Sequence, residues 1–153
     1  MKPIRATTHI AAPVERVFAA FADFRNVPGR VSGIKRLQVL GDGPIGVGTR
    51  FRETRLMFGR EATEEMTITE FDPPRSYSVE AESCGCRYLA TYDFRSDGDG
   101  TIVDLSFGGQ PLTFVAKVMG LLLGWMMAGT MKQCVEKDML DLKSYLESAG
   151  LSD

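Results

Sequence analysis

The sequence is poor in the residues that staple or metallate small proteins. It has three cysteines, an odd number, and a single histidine, His9. A disulfide framework is therefore not expected, and a reducing cytoplasm is the expected setting. A four-ligand zinc site would need distant groups to converge, so no metal is expected. Blocks of like charge are also missing, and the net charge of −2 provides no broad basic field for a nucleic-acid backbone. The opening Met1-Lys2-Pro3-Ile4-Arg5 lacks the apolar core of a signal peptide. The longest apolar stretch, Val115 to Met131, is interrupted by Lys117. What remains from Val118 falls short of the ~20 residues of a membrane span. No transmembrane segment is expected.

What is present suits one globular domain over residues 1–153, with 44% apolar and 25% charged residues. Residues 4–11 have strand composition, and Ala12-Pro13-Val14-Glu15 opens a helix over 14–24 with Val14, Val17, Phe18 and Phe21 on one face. Asn26, Pro28, Gly29 and Gly33 then break the chain into a turn or a second short helix. From residue 34 the period becomes two, with strands predicted at 34–40, 49–57, 60–70, 75–83, 86–95 and 101–109. Short turn signals separate most of them, which requires antiparallel neighbours. Pro111 closes the sheet, and 113–148 reads as one long helix.

The turns fix a register. A two-residue turn at Phe58-Gly59 sets Glu53 opposite Glu64 and Phe51 opposite Met66, with Arg52–Glu65 and Thr54–Thr63 on the other face. A turn at Cys84-Gly85 sets Ala81 opposite Tyr88, Val79 opposite Ala90 and Tyr77 opposite Tyr92. A four-residue loop at Asp97–Gly100 sets Phe94 opposite Val103 and Tyr92 opposite Leu105. All three place apolar groups on one face, as a meander requires. In the long helix, Val135, Met139, Leu142 and Leu146 form a stripe opposed by Glu136, Lys137, Asp141 and Lys143. Its earlier part, Leu121 to Ala128, is apolar on every side. It needs a cover beyond the sheet: the N-terminal helical region, a second copy in a homodimer, a ligand or a membrane surface.

This order of elements resembles the START-like helix-grip superfamily, also called SRPBCC, and within it the polyketide cyclase/dehydrase-like branch. Matching residues run from Ala11-Ala12-Pro13-Val14-Glu15-Arg16-Val17-Phe18 and Asp23-Phe24 through Gly48-Thr49-Arg50-Phe51-Arg52 and Phe71-Asp72-Pro73-Pro74-Arg75. They continue with Gly98-Asp99-Gly100-Thr101 and Leu140-Asp141-Leu142-Lys143. The resemblance implies an α+β helix-grip fold: a curved seven-stranded antiparallel sheet around a long C-terminal helix, with one or two short helices after the first strand. It also implies a cavity between sheet and helix. Members of the superfamily carry lipids, hormones and polyketides, and some are cyclases or hydrolases, but no catalytic motif is shared. Pro28-Gly29-Arg30 departs from the tryptophan that many relatives have near this point.

The face pointed inward is mostly apolar: Phe51, Met57, Met66, Ile68, Val79, Val103, Leu105 and Phe107 from the sheet. The helix adds Val118, Leu122, Trp125, Met126 and Gly129. These residues either line an open pocket or fill a core, and the eight methionines suit both. Glu53, Arg55, Glu64, Tyr77, Tyr88 and Tyr92 share the same face. They form either the polar end of a pocket or ion pairs where the sheet runs past its core. Facing Glu53 and Glu64 would raise one carboxyl unless Arg55 or Arg60 pairs with it. A raised carboxyl could serve as general acid or base, with tyrosine as donor, so Glu53, Glu64 and Tyr77 are the catalytic candidates. Elsewhere Cys84-Gly85-Cys86 reads as a tight turn. His9 supports no triad, Gly41–Gly46 joins two strands rather than opening a helix, and Asp97–Gly100 is too short for a calcium loop. The expected function is carriage or sequestration of a lipid-like or polyketide-like molecule without metal or cofactor. The alternatives are a cofactor-independent cyclase or dehydratase, and an interaction protein that uses the apolar half of its last helix.

Overall fold

The computed structural model describes residues 3–57, 59–83 and 85–151, with backbone alone for Met57, 123–128 and 149–151. Strand β1 (Ile4–Ile10) leads through α1 (Val14–Phe21) and a single 3-10 turn (Val27–Gly29) into a meander. The meander comprises β2 (Ile34–Leu40), β3 (Arg50–Met57), β4 (Arg60–Asp72), β5 (Ser76–Ser83), β6 (Cys86–Asp97) and β7 (Gly100–Pro111). Helix α2 (Phe114–Leu151) follows. The seven strands form one curved antiparallel sheet in the order β1-β7-β6-β5-β4-β3-β2, so α1 and the turn carry the chain from one sheet edge to the other. This is the helix-grip fold expected from the sequence.

The registers agree pair by pair. Glu53 lies opposite Glu64, Tyr77 opposite Tyr92 and Tyr92 opposite Leu105. Gly59 and Gly85 take φ values of +77° and +76°, which side-chain-bearing residues resist in a tight turn. Their turn partners Phe58 and Cys84 lie outside the described residues. The loop at Asp97–Gly100 is tighter than expected. Asp97 and Gly100 pair with each other, leaving only Gly98-Asp99 as the turn. The pairing beyond is unaffected, because lengthening both strands equally preserves the register.

Gly100 packs against β1 so closely that an added Cβ would lie 2.6 Å from His9 Nε2 and 2.9 Å from the Ile10 carbonyl oxygen. The imidazole can move aside but the carbonyl cannot. Gly100→Ala is expected to cost about 1–3 kcal/mol, read as a lowered melting temperature.

Helix α1 ends earlier than the apolar spacing suggests. Ala22 caps it, and Asn26 turns back to hydrogen-bond both carboxylate oxygens of Asp23, so residues 22–24 leave the helix. Phe24 is nevertheless buried. Only two turns long, α1 depends on packing for its stability. Val17, Phe18 and Phe21 are buried on the sheet, where Phe18 meets Phe71, Tyr77 and Phe94 edge-on at 5.5, 5.8 and 5.1 Å.

Helix α2 is held by its second half. Met139, Leu142 and Leu146 are buried as the stripe predicts, and Val135 packs beside them. Asp141 accepts from the Ser32 backbone and hydroxyl at 3.0 Å each, and Arg30 lies 4.3 Å over the Tyr145 ring. Glu147 accepts from the Ala11 backbone at 2.9 Å, while Arg16 donates to the Leu146 carbonyl at 3.1 Å. The first half is different. Phe114, Val115, Leu121 and Leu122 are 64–80% exposed, a concentration of open apolar surface at one end of the molecule.

Candidate functional site

Period-two alternation along β3 brings Phe51, Glu53 and Arg55 to the inner face, toward α2. Phe51 is buried and stacks on Phe24 at 4.8 Å. Arg55 reaches across the grip to α2, where Asp138 accepts from both guanidinium nitrogens at 2.8 and 3.4 Å. Glu53 stands 3.5 Å from the same guanidinium. This bidentate contact is the geometry for which arginine is best shaped. Side-chain exposure is 15% for Glu53, 18% for Arg55 and 20% for Asp138, so the cluster is mostly but not wholly removed from water.

Burial pushes the Glu53 carboxyl above the ordinary carboxylate range. Arg55 offsets this only in part, while Asp138 and, more weakly, Glu64 add to it. Burial raises Asp138 too, against the hydrogen bond and charge of Arg55. For Arg55 burial opposes the charge, but the two carboxylates outweigh it and hold the guanidinium firmly protonated. The facing glutamates anticipated from the register are present. Of Arg55 and Arg60, the two arginines expected to relieve them, Arg55 is the one beside Glu53, and the second carboxylate that matters most to Glu53 is Asp138 rather than Glu64.

The tyrosines divide between two settings. Tyr77 is buried and stacks on Tyr92 at 4.7 Å, and its hydroxyl donates to the Phe21 carbonyl at 3.4 Å. Burial raises both phenols, with Tyr92 also feeling Asp138 and Glu53. Tyr88 stacks on Phe107 at 5.7 Å, and both keep partial exposure. The inner face is therefore sealed beside α1, where Phe51 and Tyr77 join the aromatic cluster with Val79, Val103, Leu105 and Ile68 buried around it. Toward Tyr88, Phe107 and Met66 it is half-open. From α2, Val118 and Leu122 are exposed, and a Cβ on Gly129 would meet open space. The side chains of Met57, Trp125 and Met126 lie outside the described residues.

Asp138 is the site residue that the sequence reading passes over. It follows Val135 by three and precedes Leu142 by four, which puts a carboxylate on the apolar stripe of α2. A charged residue at a core-facing position is the signal that could have found it.

Two shallow depressions lie on the outer face of the sheet. One is lined mainly by Arg36, Gln38, Arg52, Thr54 and Thr63, the other by Glu65, Thr67, Thr69, Glu80 and Glu82. Both carry polar and apolar surface and face away from α2. Among the described residues, no three His, Cys, Asp or Glu side chains converge as metal ligands. No helix of the described residues is long and apolar enough to cross a membrane.

A sheet gripping a long helix over an apolar wall with a few inward polar groups defines a START-like, helix-grip protein. The chain belongs to the polyketide cyclase/dehydrase and lipid transport family, whose model matches residues 1–147. Among curated proteins none matches the chain. Protein TTHA0849 of Thermus thermophilus is similar in structure at a TM-score of 0.80 and 23% identity, over 96% of this chain and 98% of that one. A START superfamily protein of Mycobacterium smegmatis also has a TM-score of 0.80, at 14% identity over 97% and 99% of the two chains. The di-domain ARO/CYC StfQ of the steffimycin biosynthetic pathway has a TM-score of 0.78 at 10% identity, covering 97% of this chain and 52% of StfQ. At these identities the likeness is one of fold.

Proposed function

We propose that the protein binds a hydrophobic small molecule, of lipid or polyketide type, between the inner face of the sheet and the first half of α2. The carrying observation is the partly exposed Glu53–Arg55–Asp138 cluster set within an otherwise apolar wall. A buried ion pair is weak evidence for stability, so a role in orienting a ligand explains its presence better. Apolar contact with Tyr88, Phe107, Val118 and Leu122 would supply affinity at about 25 cal/mol per Å2, and the cluster would fix one polar group of the ligand. A cytoplasmic setting goes with this reading, since Cys86 and Cys134 are free thiols.

Mass spectrometry of the freshly purified protein, native against denatured, tests the proposal. A small molecule carried by the native protein and lost on denaturation is the expected result. A clean apo mass, with no mass shift after incubation with long-chain lipids or aromatic polyketides, would refute it. The same spectrum reads a homodimer through the exposed half of α2 as a doubled mass.

The raised carboxyl of Glu53 favours a second reading, a cyclase or dehydratase. A carboxyl raised above its ordinary range by burial is suited to act as general acid toward the carbonyl oxygen of an enolisable ketone. Under this reading Glu53→Gln is expected to cut turnover about 100-fold or more while ligand affinity is kept. Equal turnover in the variant removes Glu53 from the catalytic role, and absence of turnover in the parent leaves carriage as the function.

A further inference from the structure

We propose that the site selects uncharged oxygenated ligands, alcohols and ketones, over carboxylate-headed ones of equal length, a refinement that rests on the binding reading above. The charges around the cluster carry it. Arg55 is the cation within the cluster, and it is already shared by Asp138, with two contacts, and by Glu53 at 3.5 Å. Glu64 on β4, opposite Glu53, brings a third acid to the same patch. Lys137, the cation adjoining Asp138 in the chain, hydrogen-bonds Ser32 Oγ and lies 3.3 Å from Asp141. Arg60 shares this face of β4 but lies exposed at the hairpin end, opposite Met57, so among the described residues beside the cluster itself no positive charge is left over for a ligand.

A carboxylate head entering this space would join two or three acids around one guanidinium, or would have to displace Asp138 from a bidentate contact. A hydroxyl or ketone meets no such penalty. A guanidinium has five N–H donors, of which Asp138 and Glu53 occupy only part, so an oxygen acceptor can share it. A hydroxyl can in addition donate to a carboxylate oxygen of Glu53 or Asp138. The three side chains keep 15–20% exposure, so a ligand's polar group can still reach them.

Calorimetric titration of the full-length protein with decanol and with decanoate, both at neutral pH, tests the selection. Decanol is expected to bind at least about tenfold more tightly. Decanoate binding as well as or better than decanol overturns the selection and leaves the binding reading intact. Failure of both probes to bind overturns the binding reading itself. Any apolar pocket disfavours an anion to some degree, so a second measurement isolates the cluster. Asp138→Asn frees Arg55 for a ligand carboxylate and is expected to shift the decanol-to-decanoate affinity ratio toward decanoate by about tenfold. An unchanged ratio in a folded variant refutes the role given to the acids. If the variant does not fold, the wild-type comparison still decides.

Discussion

Replacing Phe18 by alanine is expected to lower the free energy of unfolding by about 3–5 kcal/mol. Phe18 is 4% exposed and sits at the centre of an edge-on aromatic group with Phe71, Tyr77 and Phe94. These three neighbours come from three different strands, so the cavity left behind cannot close by moving one element. Edge-on pairs add about 0.5–1.5 kcal/mol each beyond the area buried, which places this site toward the upper end of the range. The loss also loosens α1, because eight residues of helix do not persist without their packed face. Urea unfolding followed by circular dichroism would measure the change. Leu140→Ala, at a position 55% exposed on the outer side of α2, serves as the control and should stay within about 0.5 kcal/mol of the parent. A Phe18→Ala cost no larger than that of the control would mean that the aromatic group does not hold α1 to the sheet.

The same group shows where sequence reasoning succeeds and where it stops. Strand pairing is legible because each short turn ties two strands by simple counting. The sum of paired residue numbers is fixed by the turn centre, so even the misjudged loop length at Asp97–Gly100 leaves Phe94 opposite Val103. Alternation then sorts Glu53 and Arg55 to the inner face. Periodicity says nothing, however, about where a short helix lands on a sheet. That Phe24 stacks on Phe51, and that Tyr77 turns its hydroxyl to the Phe21 carbonyl, depends on α1 crossing the sheet at this particular place. The alternation reads the inner wall as either filled or open along its length. Burial divides it instead, because α1 covers only the Phe51–Tyr77–Phe94 end. Asp138 is readable in principle, but a stripe traced through Val135, Met139, Leu142 and Leu146 passes over the carboxylate beside it.

Arg55→Met should destabilise the protein by about 3 kcal/mol at neutral pH, the low end for breaking a buried pair because both partners retain some contact with water. The methionine replaces the apolar stem, so the loss reports the charge rather than the packing. Its pH dependence is the more telling result. Glu53 and Asp138 already have raised pKa values in the folded protein, so both bind protons more tightly folded than unfolded. Groups of this kind favour the fold at acid pH and cost stability as pH rises through their folded values. Arg55 limits that cost, and without it both carboxyls move further up. The deficit of Arg55→Met is therefore expected to be largest at and above neutral pH and to shrink as pH falls toward the ordinary carboxylate range. Carboxylates held below their ordinary range behave in the opposite sense. Glu147, lowered chiefly by the Ala11 N–H, and Asp104, lowered chiefly by the Thr7 hydroxyl, lose their stabilisation as pH falls. Both lie away from Arg55, and their contributions cancel when parent and variant are compared at each pH. Adding Glu53→Gln to the variant should recover part of the loss at neutral pH and flatten the profile, since one of the stranded charges is then gone. A deficit of the same size at every pH would show instead that Arg55 acts through shape, and it would remove the electrostatic basis on which the cluster is assigned to ligand recognition.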